Sequence, residues 1–196
     1  FYSIDESKPE KLQYNWGYDP LNYDVPEGSY ATNATDGVAR IKELKELVKI
    51  FHQNGLSLVM DVVYNHTMLT EDSYFEQLVP GYYYRQTTDG KFSNATACGN
   101  ETASERPMVR KLMLESLKYW VKEYHVDGFR FDLMGVHDIA TMNLIARELR
   151  KIKPDILLYG EGWTAGASPL PDSLRALKKY AYKLDNIAVF SDDIRD

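Results

Sequence analysis

The stretch VDGFRFDLM, residues 126–134, reads as a buried strand through Val126, Phe129, Phe131, Leu133 and Met134, yet Arg130 and Asp132 sit inside it two positions apart. Side chains alternate faces along a strand, so a cation and a carboxylate emerge together on one face. An arginine beside a carboxylate favours its ionised form, which a nucleophile needs. Glu161 follows Asp132 by 29 positions, about one strand–helix unit. Adjacent strands would then present two carboxylates side by side, an arrangement suited to cleaving glycosidic bonds. In retaining enzymes the two lie roughly 5–5.5 Å apart, one as nucleophile and one as acid/base. Glu161 would need a neighbouring carboxylate and an apolar wall such as Trp163 to stay protonated. Each residue also has a structural reading. Arg130 and Asp132 can form a plain ion pair, Asp61 can be a buried structural carboxylate, His66 a hydrogen-bonded strand-end residue, and Trp16 packing under a loop.

The elements that must position these residues alternate helix and strand. Asp36 is an N-cap for a helix over 36–54 whose apolar face is Val38, Ile41, Leu44, Leu47, Val48 and Phe51, and Gly55 ends it. Leu56 to Val63 is nearly continuously apolar, as in a parallel strand buried on both faces. Residues 67–106 form a long loop, of the kind that is either functional or disordered. Pro107 opens a helix with Val109, Leu112, Met113, Leu117, Trp120, Val121 and Tyr124 inward. Strand 126–132 follows. Asp138 caps a helix with Ile139, Met142, Ile145, Leu149 and Ile152 inward, and Pro154 breaks it. Ile156 to Tyr159 is a short strand, Pro171 and Asp172 start a helix reaching about Leu184, and Ile187 to Phe190 is the last strand.

Such alternation predicts an α/β fold with a parallel sheet, either an open doubly wound sheet or a (β/α)8 barrel. Asp61, Asn65 and His66 follow the first strand, Arg130 and Asp132 end the second, and Glu161 and Trp163 end the third. Polar residues gathered at the C-terminal ends of several strands favour the barrel, and no glycine-rich phosphate fingerprint follows any strand.

Composition bounds the partners. The 196 residues are 44% hydrophobic and 27% charged, an ordinary globular balance with enough apolar residues for one core. A formal net charge of −6 argues against nucleic acid, and no apolar run is long enough to span a membrane. Aromatics make up 13%, including 15 Tyr, residues that pack well against sugar rings. The single Cys98 forms no internal disulfide.

Three of these segments, DVVYNH at 61–66, GFRFD at 128–132 and GEGW at 160–163, resemble in order and spacing the first three conserved regions of the α-amylase superfamily, glycoside hydrolase family thirteen. YNWGYDP at 14–20 and CGNETASER at 98–106 resemble the hallmarks of type I pullulanases. The resemblance implies a retaining enzyme acting on α-1,6 links of α-glucans such as pullulan and amylopectin. It makes Asp132 the nucleophile, Glu161 the general acid/base and Arg130 the holder of the nucleophile. It places His66 and Tyr18 on the sugar at the cleavage point, with Trp16 and Trp163 as cleft aromatics and Asp61 as a structural support. Asn65 matches a position that helps bind calcium in many amylases, but no full ligand set is evident. The chemistry itself requires no cofactor.

The family's fourth conserved region, with its third carboxylate, is absent between Phe1 and Asp196. The expectation is one segment, 1–196, holding roughly strands 3 to 6 of a partial barrel and ending just past the sixth strand. Such a piece would be inactive alone and would expose sheet edges that favour self-association. Rival readings are an α-1,4-acting amylase or branching enzyme, and a non-catalytic glycan-binding relative.

Overall fold

The computed structural model describes residues 1–8 and 11–192. The expected chain end at Asp196 lies outside the described residues. Helix α1 (Gly37–Gln53) leads to strand β1 (Val59–Val62), short helix α2 (Tyr74–Leu78), helix α3 (Pro107–Tyr124), strand β2 (Gly128–Phe131), helix α4 (Ile139–Arg150), strand β3 (Leu157–Gly160) and strand β4 (Ala188–Val189). The four strands form one parallel sheet in the order β1-β2-β3-β4. Each strand therefore pairs with the next in sequence, and the chain advances across the sheet without reversing. No described helix is long and apolar enough to cross a membrane.

Alternation along β2 sorts its residues. Phe129 and Phe131 are fully buried and share a core with Met113 and Leu117 of α3, Met142, Ile145 and Leu149 of α4, and Leu158 of β3. Arg130 takes the opposite face, level with Asp61 of β1 and Tyr159 of β3. One face of the sheet thus holds the core and the other carries polar chemistry.

Local signals fix the helix starts. Asp36 accepts from the Val38 N–H at 2.9 Å, and Pro107 occupies the first turn of α3. The apolar stripe of α1 departs from expectation. Val48 is buried and Leu44 and Phe51 are half-buried, but Val38, Ile41 and Leu47 are exposed. Ile152, expected inward, lies past the end of α4 and is also exposed. The helix expected over 171–184 is replaced by two 3-10 segments, Asp172–Leu174 and Lys178–Lys183. Between them Arg175 bridges antiparallel to Asp138, and the Ala176 N–H donates to the His137 carbonyl at 2.9 Å. Those backbone bonds hold 175–177 extended and interrupt the helix. The 67–106 loop is ordered, with Tyr84, Ala95, Asn100, Glu101, Ala103 and Ser104 fully buried.

Asp138 joins a cap to this packing. Its carboxylate accepts from the Thr141 N–H at 2.9 Å and from Ser104 Oγ at 2.8 Å. Burial pushes its pKa up, but the hydrogen bonds from Thr141 and Ser104 outweigh that and hold it below the usual carboxylate range. A carboxyl lowered in the fold stabilises it above the ordinary value of 3.8, and that contribution is lost as the pH falls through the folded value. Asp138→Ala is expected to cost about 1–3 kcal/mol at neutral pH. Melting curves recorded from pH 7 down past pH 3.8 should show the gap to wild type closing in acid. A gap of constant size would contradict this account.

Candidate active site

The register places the two acids. Phe131 of β2 lies opposite Gly160 of β3, so Asp132 and Glu161 leave the sheet at the same level on neighbouring strands. Their amides extend the ladder: Asp132 N–H donates to the Val62 carbonyl at 3.1 Å, and Glu161 N–H to the Phe131 carbonyl at 3.1 Å. Paired strands run about 4.8 Å apart, so the two residues leave the sheet as direct neighbours. Gly160 permits this approach, since a Cβ there would meet the Phe131 carbonyl oxygen at 2.7 Å.

Arg130 ties the rim together. Its Nη1 donates to Asp61 Oδ1 at 2.8 Å and to Asp132 Oδ1 at 2.9 Å, and its Nη2 donates to Glu161 Oε1 at 2.6 Å. The side chains of Arg130, Asp132 and Glu161 are 15%, 14% and 17% exposed, so these contacts are only partly screened by water. Burial works against the guanidinium charge, but the bond to Asp61 and the surrounding carboxylates more than offset it and raise the Arg130 pKa. The expected pairing with Asp132 is one of three, and Glu161 shares the same cation.

The remaining oxygens are also held. Asn65, fully buried, donates its Nδ2 to Asp132 Oδ2 at 2.9 Å and to the Asp132 carbonyl at 2.8 Å. The Asn65 Oδ1 faces His66 Nδ1 at 2.5 Å, so that nitrogen carries the hydrogen. Burial pushes the His66 pKa down despite the charge of Asp132. His66 is 3% exposed and braces Asn65 from behind. Asn65 is thus engaged at both ends inside the site. Among the described residues no group of three or more His, Cys, Asp or Glu is placed to hold a metal ion.

Glu161 differs from expectation in its surroundings. Its Oε2 accepts from the Leu133 N–H at 2.9 Å, so both oxygens face N–H donors. The Trp163 ring packs on Phe190 at 6.2 Å, and the Phe190 ring lies 6.0 Å from the Arg130 guanidinium. Leu133 sits in the left-handed region at φ 39°, a conformation costly for a branched side chain and a mark of local constraint.

Asp61 is not a buried carboxylate. Its side chain is 43% exposed, and it accepts from Tyr18 Oη at 2.7 Å as well as from Arg130. That bond, with burial second, raises the Tyr18 phenol pKa to about 12, so Tyr18 stays a donor across the neutral range. The Tyr18 ring lies 5.8 Å from the Arg130 guanidinium. Trp16 is 77% exposed and touches Tyr14 edge-on at 5.6 Å, which overturns the packed reading. Leu133 and Phe190 were not anticipated at the site. Strand alternation offered a signal only for Tyr159, which shares the face of Arg130 and stacks edge-on against Phe190 at 5.6 Å.

A parallel α/β sheet that gathers an arginine and paired acids at its C-terminal edge defines the class of fold and the place of the candidate site. No family model matches the chain. Pullulanase from Bacillus subtilis (strain 168) is 47% identical over the whole chain, which spans 27% of that protein. Pullulanase 1, chloroplastic, from Arabidopsis thaliana is 40% identical over 93% of the chain, which spans 20% of it. The crystal structure of pullulanase from Paenibacillus barengoltzii, in complex with maltohexaose and alpha-cyclodextrin, superposes on all of the chain with a TM-score of 0.96 at 54% identity, and the chain spans 30% of it. The chain is homologous to a segment of the pullulanases, and its length is about a quarter of theirs.

Proposed function

We propose that the chain is the central part of the catalytic (β/α)8 barrel of a pullulanase, a debranching glycoside hydrolase that cleaves α-1,6-glucosidic links in pullulan, amylopectin and related α-glucans with retention. The level placement of Asp132 and Glu161 on adjacent strands, joined through Arg130, carries this reading. The sequential parallel order of the four strands supports a barrel over a doubly wound sheet, whose strand order reverses. Within it, residues 1–196 form one segment of that domain.

In the first step Asp132 attacks the anomeric carbon while Glu161 delivers a proton to the departing glycosidic oxygen. The C–O bond breaks and a glycosyl ester forms on Asp132. Glu161 then takes a proton from water, which attacks the same carbon and frees Asp132. Arg130 and Asn65 each hold one oxygen of Asp132, fixing the carboxylate plane before substrate arrives. The proton on Glu161 occupies a lone pair left free by Arg130 and Leu133. Tyr18 supplies a ring above Arg130 and His66 a buried imidazole behind the nucleophile. Trp16 offers an exposed face for a further sugar.

The test uses the complete protein that contains this chain. Incubation with pullulan should yield maltotriose, while amylose should remain intact. Amylose cleavage with pullulan untouched would favour an α-1,4-acting amylase. A folded protein inactive on both would favour a non-catalytic glycan binder.

A further inference from the structure

Away from the catalytic cluster lies a second set of charges that the reaction does not use. Arg85 is 3% exposed and Glu101 is fully buried. Arg85 Nη1 donates to Glu101 Oε2 at 2.8 Å and to the Val136 carbonyl at 2.7 Å, while Nη2 donates to Glu105 Oε2 at 2.8 Å. Glu101 Oε2 also accepts from Ser168 Oγ at 2.9 Å, and its Oε1 accepts from Ser93 Oγ. Burying an ion pair returns little net stability, because desolvation costs about as much as the attraction gains. Its demand for geometry is strict, however, and the partners here show what that geometry fixes.

Val136 closes the 3-10 turn Met134–Val136 that follows Asp132. The Val136 N–H donates to the Leu133 carbonyl at 2.9 Å, and the Leu133 N–H donates to Glu161 Oε2 at 2.9 Å. Gly135 in the same turn donates to the Glu161 carbonyl at 2.9 Å, and a Cβ on it would clash with the Trp163 carbonyl oxygen. The turn is therefore wedged between Arg85 on one side and Glu161 on the other. Ser168, seven positions after Glu161, ties the far side of that segment to Glu101. The strained Leu133 needs such outside support.

We infer that Arg85 and Glu101 are positioning residues for Glu161. They act through the 133–136 turn, whose Leu133 N–H sets the orientation of the acid/base carboxyl. This gives part of the CGNETASER stretch a task. Its Asn100 and Thr102 brace the rim after β1 through Thr67, Asn65 and Tyr64, while Glu101 braces the rims after β2 and β3. The inference rests on the proposed role of Glu161 as acid/base.

The experiment places Glu101→Gln in the complete protein and compares two substrates. On pullulan, which needs both proton transfers, kcat is expected to fall about 30-fold with KM within about twofold, since small misplacements of a reacting group cost up to about 100-fold. On α-maltotriosyl fluoride with azide, neither the leaving group nor the nucleophile needs Glu161, and the rate should stay near that of wild type. Equal losses on both substrates, or no loss on either, would overturn the inference. Ser168→Ala removes one donor and spares the ion pair, and should show the same pattern at about threefold, so a Glu101→Gln chain that fails to fold does not end the test. A crystal structure of whichever variant folds gives a readout independent of activity. A lengthened Leu133 N to Glu161 Oε2 contact is expected, and an unchanged one refutes the coupling. A wild type that leaves pullulan intact would refute the proposed function, while the crystallographic readout would still decide the positioning.

Discussion

Asp132→Asn is expected to lower pullulan turnover by about 10,000-fold or more, the scale seen when a nucleophile that no other group replaces is removed. The substitution keeps the shape of the side chain and removes its charge. One of its polar atoms can still accept from Arg130 Nη1 as Asp132 Oδ1 does at 2.9 Å. The other atom becomes an amide nitrogen facing Asn65 Nδ2, which now donates to Asp132 Oδ2 at 2.9 Å. Two donors would then confront each other next to a fully buried Asn65, at a cost of about 1–3 kcal/mol. The variant should therefore melt lower as well as lose activity. Asn65→Ala together with Asp132→Asn should cost less stability than the two single changes summed, because the clash needs both side chains, with no recovery of turnover. Reducing-sugar release from pullulan and thermal melts of the single and double variants separate the two effects. Activity within tenfold of wild type in Asp132→Asn would remove this residue as the nucleophile.

The position of Asp132 was readable because strand periodicity is local. Phe129 and Phe131 had to be buried, so Arg130 and Asp132 had to share the other face, and they do. The starts of α1, α3 and α4 were readable for the same reason, since Asp36, Pro107 and Asp138 act within one helical turn. The burial of α1 was not, because a stripe such as Val38, Ile41 and Leu47 predicts a face and not what covers it. The helix expected over 171–184 failed against a bridge between Arg175 and Asp138, residues 37 positions apart. At the site the same limit applies. That Asn65 holds Asp132, or that the Leu133 N–H holds Glu161, depends on contacts across 67 and 28 positions that no spacing rule encodes. Arg85 and Glu101 lie within the 67–106 loop, where no periodicity marks a buried charge, and they meet across 16 positions through a contact that spacing does not encode.

Arg130→Lys should carry the second-largest effect, a fall in kcat of about 100- to 1,000-fold even though the positive charge is kept. A guanidinium presents donors on separate nitrogens in one rigid plane, and the site uses that separation. Nη1 serves Asp61 and Asp132, and Nη2 serves Glu161. An ammonium is a single point on a flexible stem, and it can satisfy one side of this arrangement only by leaving the other. If it follows Asp132, Glu161 keeps only the Leu133 N–H and turns away from the scissile oxygen. If it follows Glu161, Asp132 keeps only Asn65. Either outcome separates two carboxyls that the proposed mechanism needs together on one bond. Arg130→Met should go further, because three carboxylates would then crowd one strand edge with no cation between them, and folding stability should fall with activity. Steady-state kinetics on pullulan beside thermal melts distinguish the cases: a rate loss with a near-native melt in Arg130→Lys, and losses of both in Arg130→Met. Arg130→Lys turning over within threefold of wild type would show that charge alone suffices and that the fork geometry at this rim is incidental.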